Sequence, residues 1–288
     1  MNIRRGTSAP NLLKEVKVLI ADMHIHSNNS HDAVSSLSEI CDSAIKKGIK
    51  VLAITDHLDV VYCERSDVFS CIRSSYSDVV RAREKYGNEL DILAGIEIGD
   101  PLMYPEFSKE CANALDYDVI IGSVHTVCLD DCTDPYSMVD FSRMDAEFLH
   151  RFIHKYFDEL CGMLADYDFD IFAHLTCPFR YINGKYGRDV DIRKYADRID
   201  DVLRRVIEKG VALEVNTSGY GTSVGFMPDE WIVERYVSFG GKKVTLGSDA
   251  HIADNIGKGF DAAIQMLKRH GIDYIYSFKK RKPVIHEI

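Results

Sequence analysis

The 288-residue sequence predicts an α/β fold in a single domain, a seven-stranded (β/α) barrel similar in layout to a TIM barrel. Short, nearly continuous apolar runs recur along the chain, and such runs are typical of parallel strands that are buried on both faces. Amphipathic helical stretches separate them, and this alternation predicts a parallel sheet. Seven such units favour closure of the sheet into a barrel, and an open, doubly wound sheet is the alternative.

The predicted strands are short β-branched runs, each followed by a polar turn. They are, in chain order, VKVLIAD (16–22), KVLAIT (50–55), DILAGIEI (91–98), DVIIGSV (118–124), DIFAH (170–174), VALEVN (211–216) and KVTLGS (243–248). The barrel domain is therefore expected to cover residues 16–288. Residues 1–15 are expected to form a disordered N-terminal extension.

Helices are predicted where apolar residues recur at helical spacing between these strands. They include LSEICDSAIKK (37–47), RMDAEFLHRFIHKYFDELCGML (143–164), DIRKYADRIDDVLRRVIEK (191–209) and FDAAIQMLKRH (260–270). Gly48, Gly210 and Gly271 follow three of these stretches, and glycine just past the last turn commonly ends a helix.

Composition and charge narrow the class of protein. The formal net charge is -10, which disfavours sequence-independent binding of nucleic acid, because such binding relies on Lys and Arg at the phosphates. The eight cysteines form no Cys-x-x-Cys pair and are expected to be reduced thiols of a cytoplasmic protein. Apolar runs stay shorter than the roughly 18 residues that a membrane span needs, so no membrane association is expected.

Side chains of the kind that bind metals lie at the carboxyl ends of the predicted strands. They are His24 and His26 after the first strand, Asp56 and His57 after the second, Glu97 in the third, His125 after the fourth, His174 after the fifth, and Asp249 and His251 after the seventh. The carboxyl end of a (β/α) barrel is where active sites are built, with residues from several strands. A single residue there would mean little, but the whole set indicates a site.

Imidazole and carboxylate donors suit zinc, manganese or iron, and the absence of cysteine argues against a closed structural zinc site. The donors exceed the needs of one ion, so two or three divalent transition-metal ions are expected. Clustered ions generate a hydroxide nucleophile at neutral pH and stabilise both oxygens of an in-line displacement at phosphorus.

The ordered motifs DMHIH, SHD, ITDH, GIE, GSVH, FAH and LGSDAH resemble those of the polymerase-and-histidinol-phosphatase (PHP) superfamily. EVNTSG and FKKRKP resemble its histidinol-phosphate phosphatase branch, although Tyr220-Gly221 stands where that branch has a Leu-Arg pair. The resemblance runs from about residue 17 to the C-terminus. It implies a distorted seven-stranded (β/α) barrel that holds a trinuclear metal site.

The resemblance also implies a role for each donor. The implied ligands are His24, His26, Glu97 and Asp249 for one ion, Glu97 as a bridge with His125 and His174 for a second, and Asp32, His57 and His251 for a third. Asp32 is preferred to its neighbour His31, because the family has its next ligand six residues after the second histidine of His-x-His. Glu97, Asp249 and His251 are expected to be the catalytic residues.

The chemistry of further residues predicts supporting and substrate-binding roles. Asp22 and Asp56 are expected to orient imidazoles, with loop capping as the alternative. Arg180 is expected to bind a phosphate oxygen, since guanidinium matches phosphate geometry, with a solvent-exposed arginine as the alternative. Asn216 and Ser218 are expected to donate hydrogen bonds to substrate, with turn formation as the alternative.

Residues 127–142 form a long connection that is predicted to be a lid, where Asp130, Asp131 and Tyr136 could contact a substrate amine or imidazole. His150 and His154, spaced i, i+4 on a predicted helix, are expected to be non-functional, as are His270 and His286.

The sequence therefore predicts a metal-dependent phosphomonoester hydrolase whose partner is a small phosphorylated substrate. The expected reaction converts L-histidinol phosphate and water to L-histidinol and phosphate in histidine biosynthesis. One alternative is a related phosphoesterase acting on another small phosphate ester or on a phosphotyrosyl protein. Another is a nucleic-acid-associated PHP module, which the acidic charge disfavours. The oligomeric state and the identity of the metal are left open.

Overall fold

In the computed structural model the described residues are 20–60 and 64–288, so the predicted N-terminal extension at 1–15 lies outside them. The strands are β1 (Ala21–Ile25), β2 (Val51–Ile54), β3 (His57–Leu58), β4 (Asp91–Gly99), β5 (Val119–Ser123), β6 (Ile171–Phe172), β7 (Ala212–Asn216), β8 (Val244–Gly247), β9 (Tyr274–Lys279) and β10 (Lys282–Glu287). The α-helices are α1 (Leu37–Lys47), α2 (Arg65–Tyr86), α3 (Pro105–Ala112), α4 (Ala146–Asp166), α5 (Cys177–Phe179), α6 (Ala196–Lys209), α7 (Glu230–Ser238) and α8 (Phe260–Arg269).

The central sheet is parallel and nearly closed. Its strands follow the order β1-β2-β4-β5-β6-β7-β8, and the short β3 pairs with the carboxyl half of β4. The two ends of the sheet meet where Ile25 bridges Ala250 in parallel fashion and the backbone N–H of His26 donates to the carbonyl of Ala250 at 3.0 Å. The predicted seven-stranded (β/α) barrel is therefore confirmed, and the open doubly wound sheet is not adopted.

Helix ends follow the local sequence. Ser36 and Glu39 form a capping box at the start of α1, which satisfies backbone N–H groups that lack helical partners. Gly48 and Gly210 end α1 and α6 in the left-handed conformation, with φ of 77° and 74°. Both helix ends were predicted from these glycines, which adopt positive φ without the steric cost of a Cβ atom.

The first strand ends later than predicted, at Ile25. Its described part is Ala21–Ile25, so His24 lies within the strand and not after it. All five of these residues are buried, because β1 runs between β2 and the segment after β8. The polar side chains of Asp22 and His24 interrupt the apolar run. For this reason the end of the strand was predicted too early in the sequence.

A C-terminal hairpin, β9–β10, was not predicted. Its turn consists of Lys280 and Arg281, both with positive φ (51° and 62°). Asp118, the residue before β5, accepts the backbone N–H of Lys280 at 2.9 Å, and its carbonyl accepts that of Arg281 at 2.8 Å. The hairpin is thereby fixed to the amino end of the barrel, opposite the end where the histidines lie.

Among residues 20–60 and 64–288, no helix combines the length and the apolar character needed to cross a membrane.

Candidate metal centre

The structure gathers the predicted donors at the carboxyl end of the barrel. His24 and His26 extend to the same side of β1, as alternating residues of a strand do. Their rings lie 4.9 Å apart, and the His26 ring stacks on His57 at 4.0 Å and lies 4.4 Å from His251. His125 and His174 stack on each other at 5.4 Å. All six histidines expected from the sequence thus belong to one cluster.

Glu97 lies at the centre of this cluster and is fully buried. Its Oε1 atom is 3.2 Å from His125 Nε2 and 3.0 Å from His174 Nε2. Its Oε2 atom faces the other side, 3.2 Å from His24 Nε2 and 3.6 Å from His26 Nε2. The two oxygens of one carboxylate therefore face different donor groups, which is the geometry required of a bridging ligand.

Asp249 completes the group around β1. Its Oδ1 atom is 3.2 Å from His26 Nε2 and 3.9 Å from His24 Nε2. Asp249 has a φ of 49°, a left-handed conformation that a non-glycine residue adopts only where its surroundings hold it. The backbone N–H of Asp249 donates to the carbonyl of His24 at 2.8 Å, and this bond holds the side chain over the strand.

Asp32 and His251 form the outer part of the cluster. Asp32 Oδ2 is 3.1 Å from His251 Nε2, and Asp32 Oδ1 is 3.6 Å from His57 Nε2. The neighbouring His31 lies on the wall of the adjoining cavity, with its Nε2 atom 4.0 Å from Asp32. Asp32 is thus placed between the two histidines with which it was grouped from the sequence.

The buried donor atoms at the centre are suited to a cation. In the described part of the chain, His24 Nε2, His26 Nε2 and Glu97 Oε2 are buried and make no hydrogen bond of acceptable geometry. Leaving one buried polar atom unpaired costs roughly 1–3 kcal/mol. Three such atoms facing one another are explained by divalent metal ions, which would accept all of these lone pairs at once.

The electrostatics of the cluster also favour cations. Burial would raise the pKa of Glu97, but the attraction of His24 and His125 holds it well below its ordinary value. Burial would likewise raise the pKa of Asp249, but His24, His26 and His251 together hold it well below its ordinary value. Burial lowers the pKa of His26 well below its ordinary value. Burial would also lower the pKa of His24, but the carboxylates of Glu214 and Glu97 raise it well above its ordinary value. The carboxylates are thus in the ionised form that binds metal ions, and a metal ion bound at His24 would displace a proton.

Two buried carboxylates, Glu214 and Asp59, hold the rings of His24 and His125. Neither carboxylate was predicted from the sequence. Glu214 Oε1 accepts a hydrogen bond from His24 Nδ1 at 2.7 Å. Both oxygens of Asp59 are 3.1 Å from His125 Nδ1. Each contact leaves the Nε2 atom of the ring facing the cluster. Glu214 stands out in the sequence as a charged residue within the buried run VALEVN, a pattern that could have identified it.

The roles expected of Asp22 and Asp56 were wrong. Asp22 accepts backbone N–H groups from Ser248 at 2.9 Å and Gly257 at 3.1 Å, and it therefore joins β1 to the segment after β8. Asp56 accepts hydrogen bonds from three serine hydroxyls, among them Ser30 at 2.7 Å. Among the described residues neither carboxylate bonds directly to an imidazole, and the alternative of loop capping describes both.

An open cavity adjoins the cluster, and part of its wall is formed by residues that do not belong to the cluster. This part consists of Tyr136, Ser137, Cys177, Arg180 and Tyr181. Arg180 is the cationic residue on the wall, and its Nη1 atom donates to Ser218 Oγ at 3.2 Å. A guanidinium beside a group of metal-type donors can bind the oxygens of a phosphate.

Asn216 and Ser218 lie behind this wall. Asn216 Nδ2 is 3.3 Å from Asp249 Oδ2, and Ser218 Oγ donates to Asn216 Oδ1 at 2.7 Å. Their side chains therefore support Asp249 and Arg180, and the expectation that they donate hydrogen bonds to substrate stays a prediction.

The long segment 127–142 contributes Tyr136 and Ser137 to the cavity wall. Tyr136 packs against Tyr181, with ring centroids 5.5 Å apart, and its backbone N–H donates to the carbonyl of His125 at 2.9 Å. Asp131 instead forms a surface ion pair with Arg151 at 2.7 Å. The segment thus covers one side of the cavity, and its movement as a lid stays a prediction.

The remaining histidines lie elsewhere. His150 and His154 face each other on α4, with ring centroids 4.3 Å apart, and His154 packs against Tyr195. His270 pairs with Glu230, and His286 bonds to Ser277. These positions lie outside the metal-type cluster, as expected for the four histidines that were predicted to be non-functional.

Comparison with known proteins supports the same interpretation. Residues 22–218 match the family model of the PHP domain. A protein of Clostridium acetobutylicum named "Probable histidinol-phosphatase" is 26% identical over 267 residues, which are 91% of this chain and 98% of that protein. The histidinol-phosphatase of Lactococcus lactis is 23% identical over 266 residues, which are 91% of this chain and 95% of that protein.

Solved structures share the fold. The histidinol phosphate phosphatase of Lactococcus lactis, crystallised with zinc, L-histidinol and phosphate, superimposes with a TM-score of 0.74 at 19% identity. The match covers 92% of this chain and 98% of that one. Because the family model spans more than half of the chain and the barrel carries the expected donors, this protein belongs to the PHP domain family.

Proposed function

We propose that this protein is a metal-dependent phosphatase that releases phosphate from L-histidinol phosphate. The observation that carries the proposal is the position of Glu97, whose two oxygens face two separate groups of imidazoles beside a cavity that contains Arg180. Such a centre is suited to two or three divalent ions next to a bound phosphate ester.

The proposed ligand sets are those that the family resemblance implies, and the donors of each set lie close to one another in the cluster. One ion would be held by His24, His26, Glu97 and Asp249, a second by Glu97, His125 and His174, and a third by Asp32, His57 and His251. Zinc, manganese and iron all suit these donors. Asp59 is a further carboxylate close to His57 and His125, and we assign it to orienting these rings because its nearest contacts are Nδ1 atoms.

When bound, the ions would provide a nucleophile from water at neutral pH and neutralise charge on the phosphoryl oxygens. Arg180 would bind phosphate oxygens and orient the ester. Ser218 and Asn216 would hold Arg180 and Asp249 in their positions. Tyr136 and Tyr181 would pack against the organic part of the substrate and exclude water on that side of the cavity.

The choice of substrate rests on relatives. Proteins named histidinol-phosphatase align along almost their whole length with this chain, and the Lactococcus lactis structure contains L-histidinol and phosphate. Histidine biosynthesis is the role that follows from this substrate. A cytoplasmic location stays a prediction.

L-histidinol phosphate is expected to be hydrolysed with a much higher kcat/KM than p-nitrophenyl phosphate. Contacts with the imidazole and amine supply binding energy that can be used at the reacting phosphorus. Phosphate release should be measured for both esters with enzyme loaded separately with zinc, manganese and iron. Similar values for the two esters would contradict the assigned substrate and leave a phosphatase of broader specificity.

One observation favours an alternative substrate, another small phosphate ester. Gly221 has a φ of 82° and occupies the position where the histidinol-phosphatase branch has an arginine. An arginine would be strained in this conformation. The backbone of this turn therefore differs from what the Leu-Arg pair of the histidinol-phosphatase branch would require. Phosphate release measured for the same two esters and for other small phosphomonoesters distinguishes this alternative from L-histidinol phosphate as the substrate.

A further inference from the structure

We propose that Glu214 is a positioning residue that orients two metal ligands, His24 on β1 and His174 after β6. The inference rests on the metal centre proposed above, and it concerns a carboxylate that would not itself bind a metal ion. Glu214 lies in the middle of β7 and is 1% exposed. A charged side chain buried to this extent in a barrel requires compensating partners.

The two oxygens of Glu214 have separate partners. Oε1 accepts from His24 Nδ1 at 2.7 Å, and Oε2 accepts the backbone N–H of His174 at 2.8 Å. His24 is on β1 and His174 follows β6, so a single carboxylate connects two donors that face Glu97 from different sides.

The bond to His24 determines where the ring carries its proton. With Nδ1 donating to Glu214, the lone pair of Nε2 points toward Glu97 Oε2, 3.2 Å away. Histidines that bind metals commonly donate their other N–H to a carboxylate in this way, and loss of such a partner costs about 10–100-fold in metal affinity or activity.

The bond to His174 restrains its backbone. His174 has a φ of 23°, which is unfavourable for a residue with a Cβ atom. Its N–H points to Glu214, and its Nε2 atom reaches Glu97 Oε1 at 3.0 Å. Holding this N–H keeps the imidazole directed into the centre.

The neighbouring strand provides space for this arrangement. A Cβ atom added at Gly247, at the end of β8, would overlap Glu214 Oε1 and lie 2.7 Å from His24 Cβ. A side chain at position 247 would therefore displace the contact between Glu214 and His24.

A glutamine cannot replace Glu214 in this role, although it has the same shape. If the amide oxygen accepts from His24 Nδ1, the NH₂ group faces the N–H of His174, and two donors oppose each other. If the amide is reversed, it donates to His24 Nδ1 and drives the proton to Nε2, where it blocks metal binding. Only a carboxylate accepts from both donors.

The test compares zinc binding by the full chain and by the Glu214→Gln and Gly247→Ala variants. Each protein is stripped of metal and titrated with Zn²⁺ against a chromophoric chelator, and the visible spectrum of its Co²⁺ form is recorded. We expect one Zn²⁺ step to weaken by about 10–100-fold in both variants, with an altered Co²⁺ spectrum. Asp118→Asn is the matched control, because Asp118 is a buried carboxylate that accepts backbone N–H groups of Ala94 and Lys280 at the opposite end of the barrel.

Circular dichroism of the metal-free proteins checks folding, and Gly247→Ala keeps the test open if Glu214→Gln does not fold. Wild-type Zn²⁺ affinities and an unchanged Co²⁺ spectrum in a folded Glu214→Gln or Gly247→Ala variant would overturn the role of Glu214. The proposed metal centre would not be affected by that result. A comparable loss in Asp118→Asn would also overturn the role of Glu214, because the effect would then be general destabilisation. Absence of Zn²⁺ binding in the wild-type protein would overturn the metal centre itself.

Discussion

Replacing Glu97 by glutamine is expected to abolish most of the phosphatase activity and to remove more than one metal ion. Its two oxygens face two groups of imidazoles, so both groups lose a charged ligand in the variant. Removing a group that only orients a ligand costs about 10–100-fold, and loss of a bridging ligand should therefore cost more than about 100-fold. Elemental analysis of purified protein, combined with phosphate release, measures both effects.

Glu106→Gln is a suitable control for this experiment, because Glu106 is an exposed carboxylate on α3, 91% accessible and far from the barrel interior. It should retain its ions and its activity. Loss of a single ion from Glu97→Gln, with the others retained, would show that Glu97 is a terminal ligand and would remove the bridge from the proposed centre.

Asp32→Ala and His31→Ala are expected to differ by orders of magnitude in activity, although the residues are adjacent. Asp32 lies between His57 and His251, within 3.6 Å of both, and its loss should empty or weaken the outer metal position. His31 lines the cavity and is 4.0 Å from Asp32, so its loss should leave metal content and activity nearly intact.

The pair of variants is its own control, since both change the same loop and both side chains are accessible to solvent. Metal content and kcat should be measured together for each. A severe effect of His31→Ala with near-normal Asp32→Ala protein would mean that the ligand of this loop had been assigned to the wrong residue.

Much of the fold could be predicted because strands and helices differ in apolar periodicity. The runs at 91–98 and 211–216 nearly coincide with β4 and β7. The C-terminal hairpin was not predicted, because its turn lacks the glycine or asparagine that usually indicates positive φ. Lys280 and Arg281 adopt that conformation here because Asp118 binds their backbone, a tertiary contact that local sequence does not contain.

The donors of the candidate site could be located because strand ends in a parallel barrel converge on one rim. The groups that hold these donors could not be located in the same way. Asp22 is close to His24 in sequence and yet bonds to backbone groups, whereas Glu214 is 190 residues away from His24 and orients its ring. Contacts between strands depend on register and side-chain direction, which adjacency in sequence does not reveal.

A count of the metal ions that restore activity is the most direct test of the proposed centre. Protein stripped by a chelator should be inactive toward L-histidinol phosphate, and activity should return as Zn²⁺, Mn²⁺ or Fe²⁺ is added, with two to three ions bound per chain at full recovery. Binding of at most one ion after reconstitution, or phosphate release that persists in metal-free protein, would contradict the metal centre and the function built on it.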